Sequence, residues 1–219
     1  EIADLIGSHF LPLFLYKWLP EITIRFDGGE TESIREHFRE IFVQFDKGEI
    51  ECEIDGKTEK LDYSLARLPK TRSFKSHCML MAAGDRIVGN PRDLSNKLGQ
   101  AHFEDDQKNK YIIIAVVKGD AFESRLNDAR TGINLPPKAV ESIVSMISEA
   151  IEVGEKEQIG RIKSDQSGKL SAALRENPIL RIGLRGQSLE EYVRKSPNHW
   201  KTENFISDLA IERSRSSRD

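Results

Sequence analysis

Tyr111 to Val117 reads Tyr-Ile-Ile-Ile-Ala-Val-Val, apolar almost throughout and rich in β-branched side chains. A strand with no alternating polar positions has to be covered on both faces, so this run predicts the centre of a sheet. Partners for it lie upstream. Ile22–Phe26 alternates β-branched and polar residues and stops at Asp27-Gly28-Gly29, which reads as a strand and turn. Glu49–Ile54 and Lys57–Leu65 flank Asp55-Gly56, the strongest short-range hairpin signal. Cys78–Ala83 and Arg86–Val88 flank Gly84-Asp85 as a second hairpin. Between Glu32 and Phe45, the residues Ile34, Phe38, Ile41, Phe42 and Phe45 recur every three or four positions, which predicts a helix. Residues 89–110 are polar and are expected to form a loop around a short helix near Leu94–Leu98.

After Gly119 the pattern turns helical. Asn127–Pro137 reads as a loop closed by Pro136-Pro137, which suits helix entry because first-turn N–H groups lack partners anyway. Val140, Ile143, Val144, Ile147, Ala150 and Ile151 then mark one face of a helix over Lys138–Val153. A second helix is expected over Ile159–Leu174, stopped by Asn177-Pro178, and further helical stretches near Leu189–Arg194 and Glu203–Arg213. The final Ser-Arg-Ser-Ser-Arg-Asp is expected to be disordered. The fold class is thus α+β: an antiparallel-leaning sheet domain over 21–135, then a helical C-terminal arm over 136–219. The chain opens at Glu1 without an initiator Met, so residues 1–20 are expected to be a linker from a missing upstream domain.

The longest apolar run, Phe10–Leu19, is half the ~20 residues that a membrane-spanning helix needs, and it contains Pro12 and Lys17. It has no basic leader or small-residue cleavage site, so a buried segment in a cytoplasmic protein, without membrane contact, is expected. Lys+Arg number 33 against 36 Asp+Glu, a net charge of -3, which excludes a chain-wide footprint for nucleic acid. Locally, the tail from Arg181 to Asp219 holds eight Lys/Arg against six Asp/Glu, weak support for nucleic acid as a partner.

Familiar catalytic signatures are missing. The nearest approach to a phosphate loop, Lys163–Leu170, has Lys where the first glycine belongs and Leu where the hydroxyl belongs. Cys52 and Cys78 sit in strand-like runs and read as core residues; His77 beside Cys78 would point to the opposite face. Asp105-Asp106 reads as a solvated acid pair, and His9, His37, His102 and His199 have no local partner, so no metal site is expected. One constellation remains. The central strand delivers the chain through Lys118-Gly119-Asp120 into Arg125-Leu126-Asn127-Asp128-Ala129-Arg130-Thr131-Gly132-Ile133-Asn134. A guanidinium held above a sheet edge can make paired hydrogen bonds to phosphate oxygens and stays charged at any working pH.

This segment resembles the catalytic loop in the middle domain of GHKL ATPases, the superfamily of gyrase, the ninety-kilodalton heat-shock chaperones, histidine kinases and MutL. The matching residues are Leu126-Asn127-Asp128-Ala129-Arg130, with Asn134 four beyond. Met79–Val88, ending in Gly84-Asp85-Arg86-Ile87-Val88, is similar to the strand–turn–strand of the MutL branch. The resemblance spans about residues 20–135 and implies a transducer domain with a fold like domain two of a ribosomal small-subunit protein. It implies that Arg130 senses the γ-phosphate, that Asn127 orders the loop, and that Asn134 and Lys118 assist in nucleotide binding. It also implies that ATP and Mg are held mainly by the upstream nucleotide-binding domain, whose Asn-bearing helix, Asp-x-Gly-x-Gly turn and glycine-rich lid are not in this sequence. On that reading the segment alone is inactive, its parent is an ATPase, and a homo-oligomer is expected. A non-catalytic interaction or dimerisation module built on the helices is the alternative.

Overall fold

The computed structural model describes residues 22–25, 27–33, 36, 43–70 and 74–216. The apolar segment at 10–19, His9, His37 and most of the helix expected at 32–45 lie outside them. The chain is a mixed α+β protein that divides into two compact units. One is formed up to Ser95 and over Ala101–Gly154, the other by Asn96–Gln100 with the chain from Glu155 onward.

In the first unit, β1 (Thr23–Arg25) and β2 (Thr31–Ser33) pair antiparallel around Asp27-Gly28-Gly29. The main sheet is built from β3 (Val43–Ile54), β4 (Lys57–Pro69), β5 (Cys78–Ala83), β6 (Arg86–Asp93), β7 (Phe103–Glu104) and β8 (Lys110–Lys118). Its order is β3-β4-β8-β5-β6, with β7 also on β8. Only β5 and β8 run parallel; the other pairs are antiparallel. β8 is the apolar run read from the sequence, and Ile112 through Val117 are each 0% exposed.

The period-2 alternation of side chains sorts the core into two faces. One carries Ala66, Leu68, Cys78, Leu80, Ile112, Ile114 and Val116, covered by Ile22 just before β1, by Ile24 of β1, and by Phe74 and Ile87. On the other, α3 (Pro137–Gly154) packs against β3, where the Cys52 thiol reaches the Ala139 carbonyl at 3.7 Å. The short helix α1 (Ser95–Leu98) starts at the end of this unit and falls in the second from Asn96, and α2 (Asp120–Glu123) completes the first.

Three expectations change. The helix expected over Glu32–Phe45 is replaced at both ends by strand: Glu32 pairs with Ile24, and Val43–Phe45 begin β3. Phe45 satisfies a three-to-four spacing, yet its ring meets the Arg67 guanidinium at 5.2 Å, so cross-strand packing decides. The polar stretch 89–110 is not loop throughout: β6 extends to Asp93, β7 forms, and Leu94, Leu98 and Phe103 are buried. Third, the compact units divide at Gly154–Glu155 rather than near Leu135, because the apolar face of α3 (Ala139, Ile143, Ile147, Ile151) is buried within the sheet unit.

The second unit contains α4 (Lys156–Glu176), a 3-10 helix (Pro178–Leu184), α5 (Leu189–Lys195) and α6 (Thr202–Ser216). Leu170, Leu174, Leu180, Val193, Phe205 and Leu209 form its core. Ser188 caps α5 by accepting from the Glu191 N–H at 3.1 Å, and Asn177-Pro178 ends α4 as expected. The chain expected to be disordered from Ser214 is still helical through Ser216. Among the described residues no helix is long and apolar enough to cross a membrane.

Candidate functional site

β8 carries the chain to Gly119, whose backbone is extended (φ 176). A Cβ at that position would lie 2.6 Å from Leu61 Cδ2 and 3.0 Å from the Lys60 carbonyl oxygen, so the chain passes close against β4 as it leaves the sheet. α2 makes one turn and seats Ala121 and Phe122 in the core. Arg125 then fastens the segment to the tip of the β3–β4 hairpin. Its Nε donates to Asp55 Oδ2 at 3.1 Å, a terminal nitrogen lies 3.7 Å from Glu59 Oε1, and the other donates to the Ala121 carbonyl at 3.0 Å.

The next residues form a closed loop. Leu126 and Ile133 make an antiparallel bridge, the Asn127 N–H donates to the Gly132 carbonyl at 2.9 Å, and the Asn134 N–H donates to the Arg125 carbonyl at 2.8 Å. Inside it, Asn127 Oδ1 accepts from the Thr131 N–H at 2.8 Å and the Gly132 N–H at 3.2 Å, while Nδ2 donates to Thr131 Oγ1 at 3.2 Å. The Arg130 N–H donates to the Asn127 carbonyl at 2.8 Å, closing a tight turn that sets Arg130 at left-handed φ 53. Such a conformation is unusual for a residue with a side chain and persists where surrounding bonds impose it. The Arg130 side chain is exposed and makes no hydrogen bond or ion pair among the described residues.

The four residues singled out from the sequence are therefore placed differently. Asn127 and Arg130 are joined by the loop's own bonds. Asn134 secures the loop base through its backbone, and its side chain is exposed. Lys118 lies in the sheet opposite Asp62, 3.9 Å from that carboxylate, and no bond links it to Arg130. The role of Arg125 is one that sequence reasoning missed. Asp55 was legible as a turn residue, but its pairing with a guanidinium 70 positions away leaves no local trace.

The other candidates have structural occupations. Cys52 and Cys78 are buried free thiols, and burial, reinforced by the Asp93 carboxylate, pushes Cys78 up to about 12. A thiol so protonated is no nucleophile. His77 is fully buried and its Nδ1 accepts from the Ile113 N–H at 2.8 Å. That N–H falls between the β7 pairing at Tyr111 and the β5 pairing at Ile114, so the imidazole supplies the bond that neither strand makes. Burial, with a smaller contribution from His102, lowers His77 to about 3, against a weaker opposing pull from Asp93. Asp105 accepts from the Gln107 and Asn109 N–H groups and the Asn109 amide, and those Asn109 bonds hold its carboxyl below the usual range. Among the described residues no group of His, Cys, Asp and Glu is arranged to hold a metal ion.

The Asn127–Arg130 loop is thus an ordered turn presenting one cation to solvent. It can bind an anion brought to it from outside. No protein-family model matches this chain, and no curated protein sequence matches it.

Proposed function

We propose that this chain is the transducer part of a cytoplasmic GHKL-type ATPase, with Arg130 reaching the γ-phosphate of ATP held by a preceding nucleotide-binding domain. The observation that carries this reading is the crest position of Arg130. Its backbone is constrained by Asn127, while its guanidinium has no partner among the described residues. An arginine already engaged, as Arg125 is, could not serve.

Arg130 donates to the phosphoryl oxygens as charge develops on them, and Asn127 keeps the donor in place so that little ordering is left to the moment of reaction. The terminal phosphate attracts the loop and its loss releases it. Because Pro136-Pro137 lead directly into α3, and α3 packs on β3, a shift of the loop reaches a whole helix. Lys118 and Asn134 are left in supporting places, one in the sheet and one at the loop base. Mg in this scheme is coordinated by the nucleotide and the upstream domain.

The test is Arg130→Ala in a protein that joins this chain to its nucleotide-binding domain. Turnover is expected to fall on the order of 10³-fold with ATP affinity changed little. Unchanged turnover removes Arg130 from the reaction. The alternative, an interaction module, is favoured by Ile179, Ile182 and Ile211, isoleucines of the helical unit that are each more than half exposed. Sedimentation of the chain against an Ile179→Ser, Ile182→Ser variant distinguishes it: association lost in the variant supports a contact through this patch.

A further inference from the structure

β3 is an edge of the main sheet: β4 holds its inner side, and among the described residues no strand lies along its outer side. It is 12 residues long and contains no proline. A free strand of that length is a template for another chain, and proteins ordinarily shorten, bend or charge such edges. Here a register shift between Gln44 and Asp46 interrupts the ladder near one end, and Asp46–Ile54 then pair with β4 without a break.

The hairpin turn decides which backbone groups are free. With only Asp55 and Gly56 between them, Ile54 and Lys57 are the closing pair that exchanges both bonds, and the pattern alternates from there. Ile54, Cys52, Ile50 and Gly48 therefore direct their N–H and C=O groups to β4, whereas Glu53, Glu51, Glu49 and Lys47 direct theirs outward. The Lys47 N–H agrees with this assignment, since it donates to Asp46 Oδ1 at 2.8 Å instead of to β4, and that bond ends the free run. What remains is an outward N–H and C=O on each of Glu49, Glu51 and Glu53, with only a weak contact of the Cys52 thiol to the Glu53 carbonyl at 3.6 Å.

The same three residues carry the charge. Their side chains are exposed and share one face by the period of two, opposite the side on which Cys52 lies against α3. Lys60, directly across from Glu51, reaches Glu49 at 2.9 Å and Glu51 at 3.7 Å, so one ammonium is shared by two carboxylates. Glu53 has no partner among the described residues. The row is left negative. A second copy of β3 laid along this edge would set carboxylates beside carboxylates, which like-charge repulsion disfavours.

We propose that the outer edge of β3 takes up an extended peptide with Lys or Arg at every second position, by strand addition. The peptide backbone completes the bonds of Glu49, Glu51 and Glu53, and its basic side chains stand across from the three carboxylates. Main-chain bonds supply the affinity, and the glutamates select the partner. The edge acts independently of Arg130.

The experiment titrates the isotope-labelled 219-residue chain at low salt with the peptide Thr-Lys-Val-Lys-Val-Lys-Thr. Its controls are the same peptide with Glu in place of Lys, and the basic peptide N-methylated at its lysines. The basic peptide is expected to saturate below about 1 mM and to slow hydrogen exchange at the Glu49, Glu51 and Glu53 amides about tenfold or more. The Ile50 and Cys52 amides, already bonded to β4, should be unaltered. The double variant Glu51→Lys, Glu53→Lys, changed at exposed positions, should bind about tenfold or more weakly at an unaltered thermal midpoint, and Arg130→Ala should bind as the parent chain does. Both control peptides should also lose about tenfold or more. The proposal is overturned if the basic peptide fails to saturate, if it saturates without slowing the three outward amides, or if the double variant or either control peptide binds as well. It is equally overturned if those amides are already protected in the dilute free chain, which would mean that the chain covers its own edge. Protection that rises with chain concentration in the absence of peptide would assign the edge to a second copy instead.

Discussion

Arg125 and Arg130 stand in one loop and have opposite circumstances: the first is held by Asp55 and Ala121, the second by nothing but its backbone. Residue type alone does not show this difference, because what separates them is a carboxylate on a distant hairpin and the bonds made by an amide three residues before the crest. That amide is testable. Asn127→Ala removes the acceptor for two N–H groups and is expected to cost about 1 kcal/mol, with faster hydrogen exchange at Thr131 and Gly132. Asn127→Asp keeps the acceptor and should keep the protection. His77 offers a second prediction. Its folded value of about 3 lies below the usual 6.5, so the unfolded chain binds the extra proton first. The stability that the neutral ring provides is complete above pH 6.5 and is lost as pH falls from there toward 3. Urea midpoints at pH 7 and pH 4 should therefore converge in His77→Asn relative to the parent chain. An equal pH dependence in both would show that the ring is not the group that titrates.

Among the elements, β8 and the two hairpins were readable because their signals are local: an unbroken apolar run, and turn residues whose backbone needs are specific. Asp55 and Gly56 both take positive φ (53 and 76), the pairing expected of a two-residue hairpin turn. With nothing within 4 Å of a Cβ at Gly56, Gly56→Ala should cost only the backbone term, about 1 kcal/mol. Gly119 is the contrasting case. Its φ suits any residue, but Leu61 and the Lys60 carbonyl occupy the space, so Gly119→Ala should cost about 1–3 kcal/mol and disturb the chain entering the Asn127–Arg130 loop. Thermal denaturation of the two variants checks the order. The strand that begins at Val43 was missed because phenylalanine spacing reports a face without saying which partner covers it. Phe45 lies against Arg67 and beside Gly154, both far off in sequence.

For the chain as a whole, the change from strands to helices near Leu135 was visible, but the division between compact units was not. It depends on where α3 buries its apolar face, a matter of packing that composition does not encode. A chain ending at Gly154 is accordingly expected to unfold cooperatively on heating, whereas one ending at Leu135 loses the cover of β3 and should melt lower or aggregate. The helical unit also recruits Asn96–Gln100, where the Asn198 amide donates to the Lys97 carbonyl across 101 positions. Gly99, at φ 83, leaves no room for a Cβ, which would fall 2.5 Å from the Asn198 carbonyl oxygen. On a ribosome adding about 5–20 residues per second, that short segment waits roughly 5–20 s for its partner to be synthesised. Translation speed over residues 101–198 thereby sets how long a nascent chain carries an unfinished join.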